Sequence, residues 1–433
     1  MQFAIPIESS PRTSVKPNRL HGLDTLRGVA AVLVVLLHAG IPYMTKPLAF
    51  LVWPARDIHP CWAVDGLTWC TECFLMPLFF VLAGFFSNGL LISRGERIFL
   101  AGRTKRLLST QLAANLAILP VCLAVWLLGF AAEGIYDPMK CNLPPELKAG
   151  LFGVAHLWFL QNLYIYCVIL CGISWLSKRT GRSQPNHPDC GQRFYRSLND
   201  ALLSVWKPLL PAIPCAFILY LDTRIVLGFY QSFTPVVSKL AYYSIYFFVG
   251  ALLYRQRDQL YLHARFGKTY LLIASTIFIA GLPLIHEHST AALAGPRLAL
   301  LSGILSLFAW FTTLGLFAIF LGTARRENAV TRYLAEASFW IYLIHLPFVT
   351  LTHIAVAESS IPAMGKFLIT GLTAMALSLM TYHVFVRETW LGEFLGGHRR
   401  LSPFQTLLQD PLLSRRSRPM QWHTRSALAS KSV

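Results

Sequence analysis

The chain has 433 residues, 55% hydrophobic and 13% charged, with a formal net charge of +18. A soluble domain carries about 25% charged residues, so long apolar runs at this composition exclude an ordinary water-soluble globule and point to the bilayer. The positive excess does not mark a nucleic-acid binder, because no basic, aromatic-interleaved segment is long enough to fold by itself.

In chain order, apolar runs of about 20 residues, enough to cross about 30 Å of hydrocarbon, predict ten spans. They cover 27–43, 70–92, 107–131, 156–177, 205–221, 235–254, 269–286, 297–321, 334–356 and 365–387. The expected architecture is all-α integral membrane, a single bundle of about ten transmembrane helices forming one domain over 25–390. A tail of residues 1–24 precedes it, without a cleavable signal pattern. A basic tail of residues 391–433, rich in Ser and Pro, follows and reads as disordered.

Lys and Arg assign the orientation. Thirty of the 38 fall in the two tails and in alternate connections. Positive charge stays cytoplasmic, which predicts both termini inside and a multi-pass plasma (inner) membrane protein. The minority on the outer side are Lys46, Arg56, Lys140, Lys148, Arg224, Lys239, Arg297 and Lys366.

The polar residues within the spans carry the functional argument. The first span opens "LDTLRGVAAVLVVLLHAG". Arg27 and His38 are eleven residues apart, so they share a helix face within about 20° and differ in depth by about 16.5 Å. An ionisable ring at mid-membrane normally faces a protein interior or wet cavity. It serves either as a hydrogen-bonding core residue or as a proton-handling base. Asp24, one turn before Arg27, caps the helix or orients that side chain.

"RIFLAGRTKRLL" sets Arg103 and Arg106 on one face at the cytoplasmic start of the third span. Topological anchoring and phosphate binding both fit. In the ninth span, "ASFWIYLIHLP" aligns Ser338, Tyr342 and His345, with Pro347 just past His345 as a candidate kink. Glu72 reads as an interfacial carboxylate at the outer start of the second span. His156 sits at the outer lip of the fourth span, with Gln161 below it as polar capacity for an acceptor. His353 falls near a helix end, where solvation is cheap. Cys70 and Cys73 form a C-x-x-C without a second pair at zinc spacing, so no metal is expected. A Cys61–Cys141 disulfide remains open. Gly89, Gly95, Gly396 and Gly397 read as turn positions.

Taken together, these segments resemble the acyltransferase 3 family of integral-membrane O-acyltransferases over about residues 20–390. The family's basic residue, ten residues, then His is met by Arg27 and His38, and its R-x-x-R by Arg103 and Arg106. "FFVLAGFFSNGLL" and "SFWIYLIHLP" resemble its F-x-x-S-G-F and S-x-x-I-Y-L-x-H segments. The family's Ser before Gly-Phe is Ala83 here, which removes or moves a hydroxyl.

The resemblance implies an acyltransferase moving a succinyl- or acetyl-like group from a cytoplasmic acyl-thioester, acyl-CoA being the expected co-substrate, with no bound cofactor. The acceptor would be a hydroxyl of an extracytoplasmic glucan or other saccharide, and the partners that acceptor, the lipid bilayer and other glycan-building proteins. Arg27, Arg103 and Arg106 would bind the donor's phosphates, and the donor's arm would rise through the bundle interior. His38 would be the base, and His345 with Tyr342 would orient the acceptor or the oxyanion. Two rivals stay open: a proton-coupled saccharide transporter using His38 and His345 as a relay, and a scaffold for a membrane complex.

Overall fold

Hydrocarbon offers a backbone N–H no water, so an apolar run in lipid satisfies its own hydrogen bonds by coiling into a helix. The computed structural model follows that rule. It describes residues 21–46, 51, 53–136, 153–180, 208–230, 232–257, 260, 264–323 and 328–395, and among these no strand forms. Most of both expected tails, Cys141, Gly396–Gly397 and the start of the 205–221 span lie outside the described residues.

The long helices are α1 (His21–Gly40), α2 (Trp62–Arg103), α3 (Ser109–Ala132), α4 (Trp158–Arg179) and α5 (Leu209–Leu221). After the single turn α6 (Arg224–Leu227) come α7 (Val237–Arg255), α8 (Gly267–Thr290), α9 (Gly295–Thr323), α10 (Ala329–Val356) and α11 (Ala363–Thr381). A short α12 (Trp390–Phe394) ends the described chain. Among the described residues, eight helical segments are long and apolar enough to cross a membrane. Leu112, Leu116, Leu123, Leu127 and Leu128 on α3 are all exposed, a leucine face suited to lipid.

Two boundaries differ from expectation. The charged connection after the second span is not a loop: α2 continues through a π-helical turn, Thr104–Leu108, straight into α3. The one break is Gly95, at φ 76° and ψ 167°, a conformation only glycine takes without strain. Helix formers such as Leu90 and Leu91 before it and Glu96, Leu100 and Ala101 after it let the segment coil on either side. Gly89 lies inside the helix with Tyr254 packed against it, rather than in a turn. At its other end, α2 begins at Trp62, eight residues before the expected 70. Glu72 therefore stands ten residues inside the helix, about 15 Å from its start.

Glycine sets the closest helix contact. A Cβ on Gly84 would lie 1.9 Å from the Phe247 carbonyl oxygen, and one on Gly250 would lie 2.0 Å from that of Val81. Backbones at this spacing tolerate no side chain. The register of α2 on α7 pairs Phe80 with Tyr243 (ring centroids 5.0 Å apart), Gly84 with Phe247, and Asn88 with Ala251. It advances one turn at a time in the same sense, so the two helices run parallel. α1 and α10 also run parallel: Arg27 donates to the Ala335 carbonyl at 3.0 Å, and His38 meets His345 eleven residues further along α1.

Candidate active site

His38 stands on the last turn of α1, with Nδ1 2.9 Å from the Val34 carbonyl oxygen. A carbonyl only accepts, so Nδ1 carries the proton and Nε2 keeps its lone pair. His345 is fully buried on α10 and likewise donates from Nδ1, at 3.0 Å to Ile341 and 2.9 Å to Tyr342. Its Nε2 lone pair faces His38 Nδ1 at 3.3 Å. The His38 N–H is thus shared between a backbone oxygen and a second imidazole. His38 Nε2 has no hydrogen-bond partner among the described residues.

His156 joins this pair. Pro347 has no N–H, so the carbonyl one turn before it, on Leu343, loses its helical donor. His156 Nε2 donates to that oxygen at 3.1 Å. Pro347 sits within an uninterrupted helix and opens a bonding site there. The Tyr342 hydroxyl donates to the His156 carbonyl at 2.6 Å, which commits it to holding this junction. The His156 and His38 rings flank His345 edge-on, with centroids at 5.2 and 4.8 Å. His156 is buried here, not at the lip. No group of three His, Cys, Asp or Glu side chains among the described residues is placed to hold a metal ion.

The three histidines, Tyr342, Glu72 and Lys239 line one cavity of about 400 Å³ whose remaining wall is mostly apolar. Glu72 sits in that wall, well away from the helix start where an interfacial carboxylate was expected. Gln161 lies outside the wall and ties down a neighbouring segment by donating to the Phe233 carbonyl at 3.0 Å. Ser338 is also outside, its hydroxyl donating to Ala335 on its own helix at 2.8 Å.

The arginines gather at another level of the bundle. Arg27 lies 3.5 Å from Asp24 and reaches Ala335. Arg103 donates to Ser87 Oγ at 3.2 Å while its Nε stays buried without a partner. Ser87 is one turn beyond Ala83, so a hydroxyl does serve this helix, one turn displaced. Arg106 stacks over Phe339 at 5.3 Å and is within electrostatic reach of both Arg103 and Arg27. Lys105, between them, is exposed. Helix phase thus separates two inward cations from an outward one.

The cavity wall does not include the arginines. Phe79 and Phe159 (5.8 Å between centroids) and Phe159 and Tyr342 (5.7 Å) pack edge-on beside it. The expected passage from the arginines to His38 is not part of this cavity.

Sequence reasoning missed Lys239 and a second polar cluster. Lys366 Nζ lies 2.6 Å from Asp57 Oδ2 with both side chains almost wholly buried. His353, expected near solvent, is fully buried between the Tyr43 hydroxyl and the Ala55 carbonyl, each at 3.1 Å. The available signal was the outer-side minority of cations. Lys239 and Lys366 belong to it, and both fall near the start of an apolar run.

A family profile described as "Acyltransferase domain" matches residues 20–383. Proteins named "Glucans biosynthesis protein C" from Salmonella typhi and Salmonella typhimurium are 25% identical over 381 residues, covering 87% of this chain and 94% of theirs. The protein of that name from Salmonella agona is 24% identical over 387 residues. No solved structure matches the chain.

Proposed function

The chain belongs to the acyltransferase 3 family and is a multi-pass membrane acyltransferase, and on that premise we propose that it esterifies a saccharide hydroxyl with an acyl group from acyl-CoA. The observation that carries the reading is the His38 tautomer. Its Nδ1–H is held by Val34 and His345, and its Nε2 lone pair is left as the base in a cavity.

His38 Nε2 takes the proton of the acceptor hydroxyl as its oxygen attacks the thioester carbonyl, a contribution typically of about 10²–10⁴-fold. His345 Nε2 accepts the Nδ1–H and steadies the imidazolium that forms. The ester forms, the C–S bond breaks, and the proton passes to the departing thiolate. Tyr342 and His156 hold the backbone around this pair. Arg103 and Arg106, with Arg27 beside them, dock the donor's phosphates through charge-assisted bonds. The Phe79, Phe159 and Tyr342 rings beside the cavity help to keep water from the thioester.

The acceptor is a glucan or related saccharide, a reading supported by the relatives' name. Ten crossings with both termini cytoplasmic, in the inner membrane, complete the proposal. The parallel run of α2 and α7 supports it, since an odd number of crossings must then lie between them, as α3, α4 and α5 together supply.

The test is transfer by purified protein in proteoliposomes, with labelled acyl-CoA and a gluco-oligosaccharide. A covalently acylated product is expected. Saccharide counterflow without any covalent change would overturn the reading in favour of transport.

A further inference from the structure

Lys239 is 7% exposed, lies on the first turn of α7, and lines the same cavity as the histidines. Its ammonium sits 3.5 Å above the Trp158 ring. No hydrogen bond or ion pair to it occurs among the described residues. The carboxylates within electrostatic reach of it are Asp222 and Glu72, the latter lining the cavity from α2. The register of these parallel helices carries Lys239 to the level of Met76, one turn from Glu72, an axial step of about 6 Å. Two opposite charges therefore stand in one apolar-walled cavity, close enough to feel each other and not joined.

Such an arrangement is costly. A buried ion pair repays its desolvation only with close geometry and further hydrogen bonds, and a polar group buried without a partner is penalised. The gap between the two fits an occupant that supplies what each lacks. A hydroxyl does this, because it donates to a carboxylate and accepts from an ammonium. A carboxylate in the same place would satisfy Lys239 and be repelled by Glu72.

We propose that Glu72 and Lys239 form a clamp for the hydroxyls of a neutral polyol, one side donating and the other accepting, which presents a neighbouring hydroxyl to His38. The inference rests on the acyltransfer reading for the last clause only. Trp158 holds the ammonium in place from behind, so the donor side of the clamp is fixed before the saccharide arrives.

The experiment uses the full chain in nanodiscs, a neutral gluco-oligosaccharide, and whichever of acetyl-CoA and succinyl-CoA the unaltered protein uses. Initial rates are measured against each substrate, with calorimetric binding of the oligosaccharide in the absence of donor. Glu72→Gln and Lys239→Met should each raise the acceptor KM about tenfold or more, the loss of one charge-assisted bond, while the donor KM moves less than about twofold. Lys239→Arg should recover most of the effect. Both KM values rising together would assign the pair to packing and overturn the clamp. So would a Lys239→Met defect confined to the dicarboxylic donor. A chain that acylates the oligosaccharide with both variants unaffected overturns the clamp and leaves the acyltransfer reading standing. One that binds it through these residues yet never acylates it keeps the clamp and overturns that reading.

Discussion

His345 Nε2 lies 3.3 Å from His38 Nδ1, joining two rings that are 307 residues apart in the chain. Because His345 donates its own Nδ1–H to its helix backbone, it meets His38 as an acceptor. A proton arriving at His38 Nε2 thus creates a charge already provided with a partner. His38→Gln keeps a polar side chain and removes the base, and kcat should fall about 10²–10⁴-fold. His345→Phe keeps the ring and removes the acceptor, and its smaller loss should appear in kcat more than in either KM. Single-turnover rates of ester formation check both. Product formed by His38→Gln at the unaltered rate would sink the assignment.

Pro347 acts on His156 through the Leu343 carbonyl. Pro347→Ala returns an N–H to that oxygen and sets it in competition with His156 Nε2. Activity should fall several-fold while the melting temperature does not drop, since a helical hydrogen bond is gained. Paired rate and thermal-unfolding measurements read this. A variant that loses stability instead would show that the proline serves packing.

The basic run at the start of α3 predicts a contrast along three residues. Arg103→Ala and Arg106→Ala should each raise the donor KM about tenfold or more, whereas Lys105→Ala, at an exposed position, should move it less than about twofold. Equal effects from all three would mean that the run only anchors topology.

The Lys366–Asp57 pair predicts a stability effect. Lys366→Met leaves Asp57 buried without its cation, a loss of about 3–5 kcal/mol, and adding Asp57→Leu should recover much of it. Denaturant unfolding of the single and double variants decides. Additive losses would show that the two charges act separately.

Much of this was legible in the amino-acid order. Helix formation in lipid is a local matter, because each apolar run must satisfy its own backbone. Hydropathy therefore located α1, α4 and α7 to α11 within a few residues. The same local logic put His38 and His345 on interior faces of their helices and turned Arg103 and Arg106 to one face. It failed at the Arg94–Lys105 stretch, where charge suggested a loop and one glycine sufficed as a kink. It also failed at the start of α2, since eight further residues with ordinary helix propensity precede the apolar run and put Glu72 inside the bundle.

The sequence by itself thus determined that the chain is a helical membrane protein with titratable groups, His38 and His345 among them, set inside its apolar runs. Tertiary structure alone decided which of those groups meet. The His38 N–H is shared with a ring from α10, the freed Leu343 carbonyl finds its donor on another segment, and Lys239 shares a cavity with Glu72 because Gly84 and Gly250 let two backbones touch. Helical periodicity repeats within a segment and can be read there. The rotation and pairing of separate helices are set by contacts between residues hundreds of positions apart, and no local pattern encodes them.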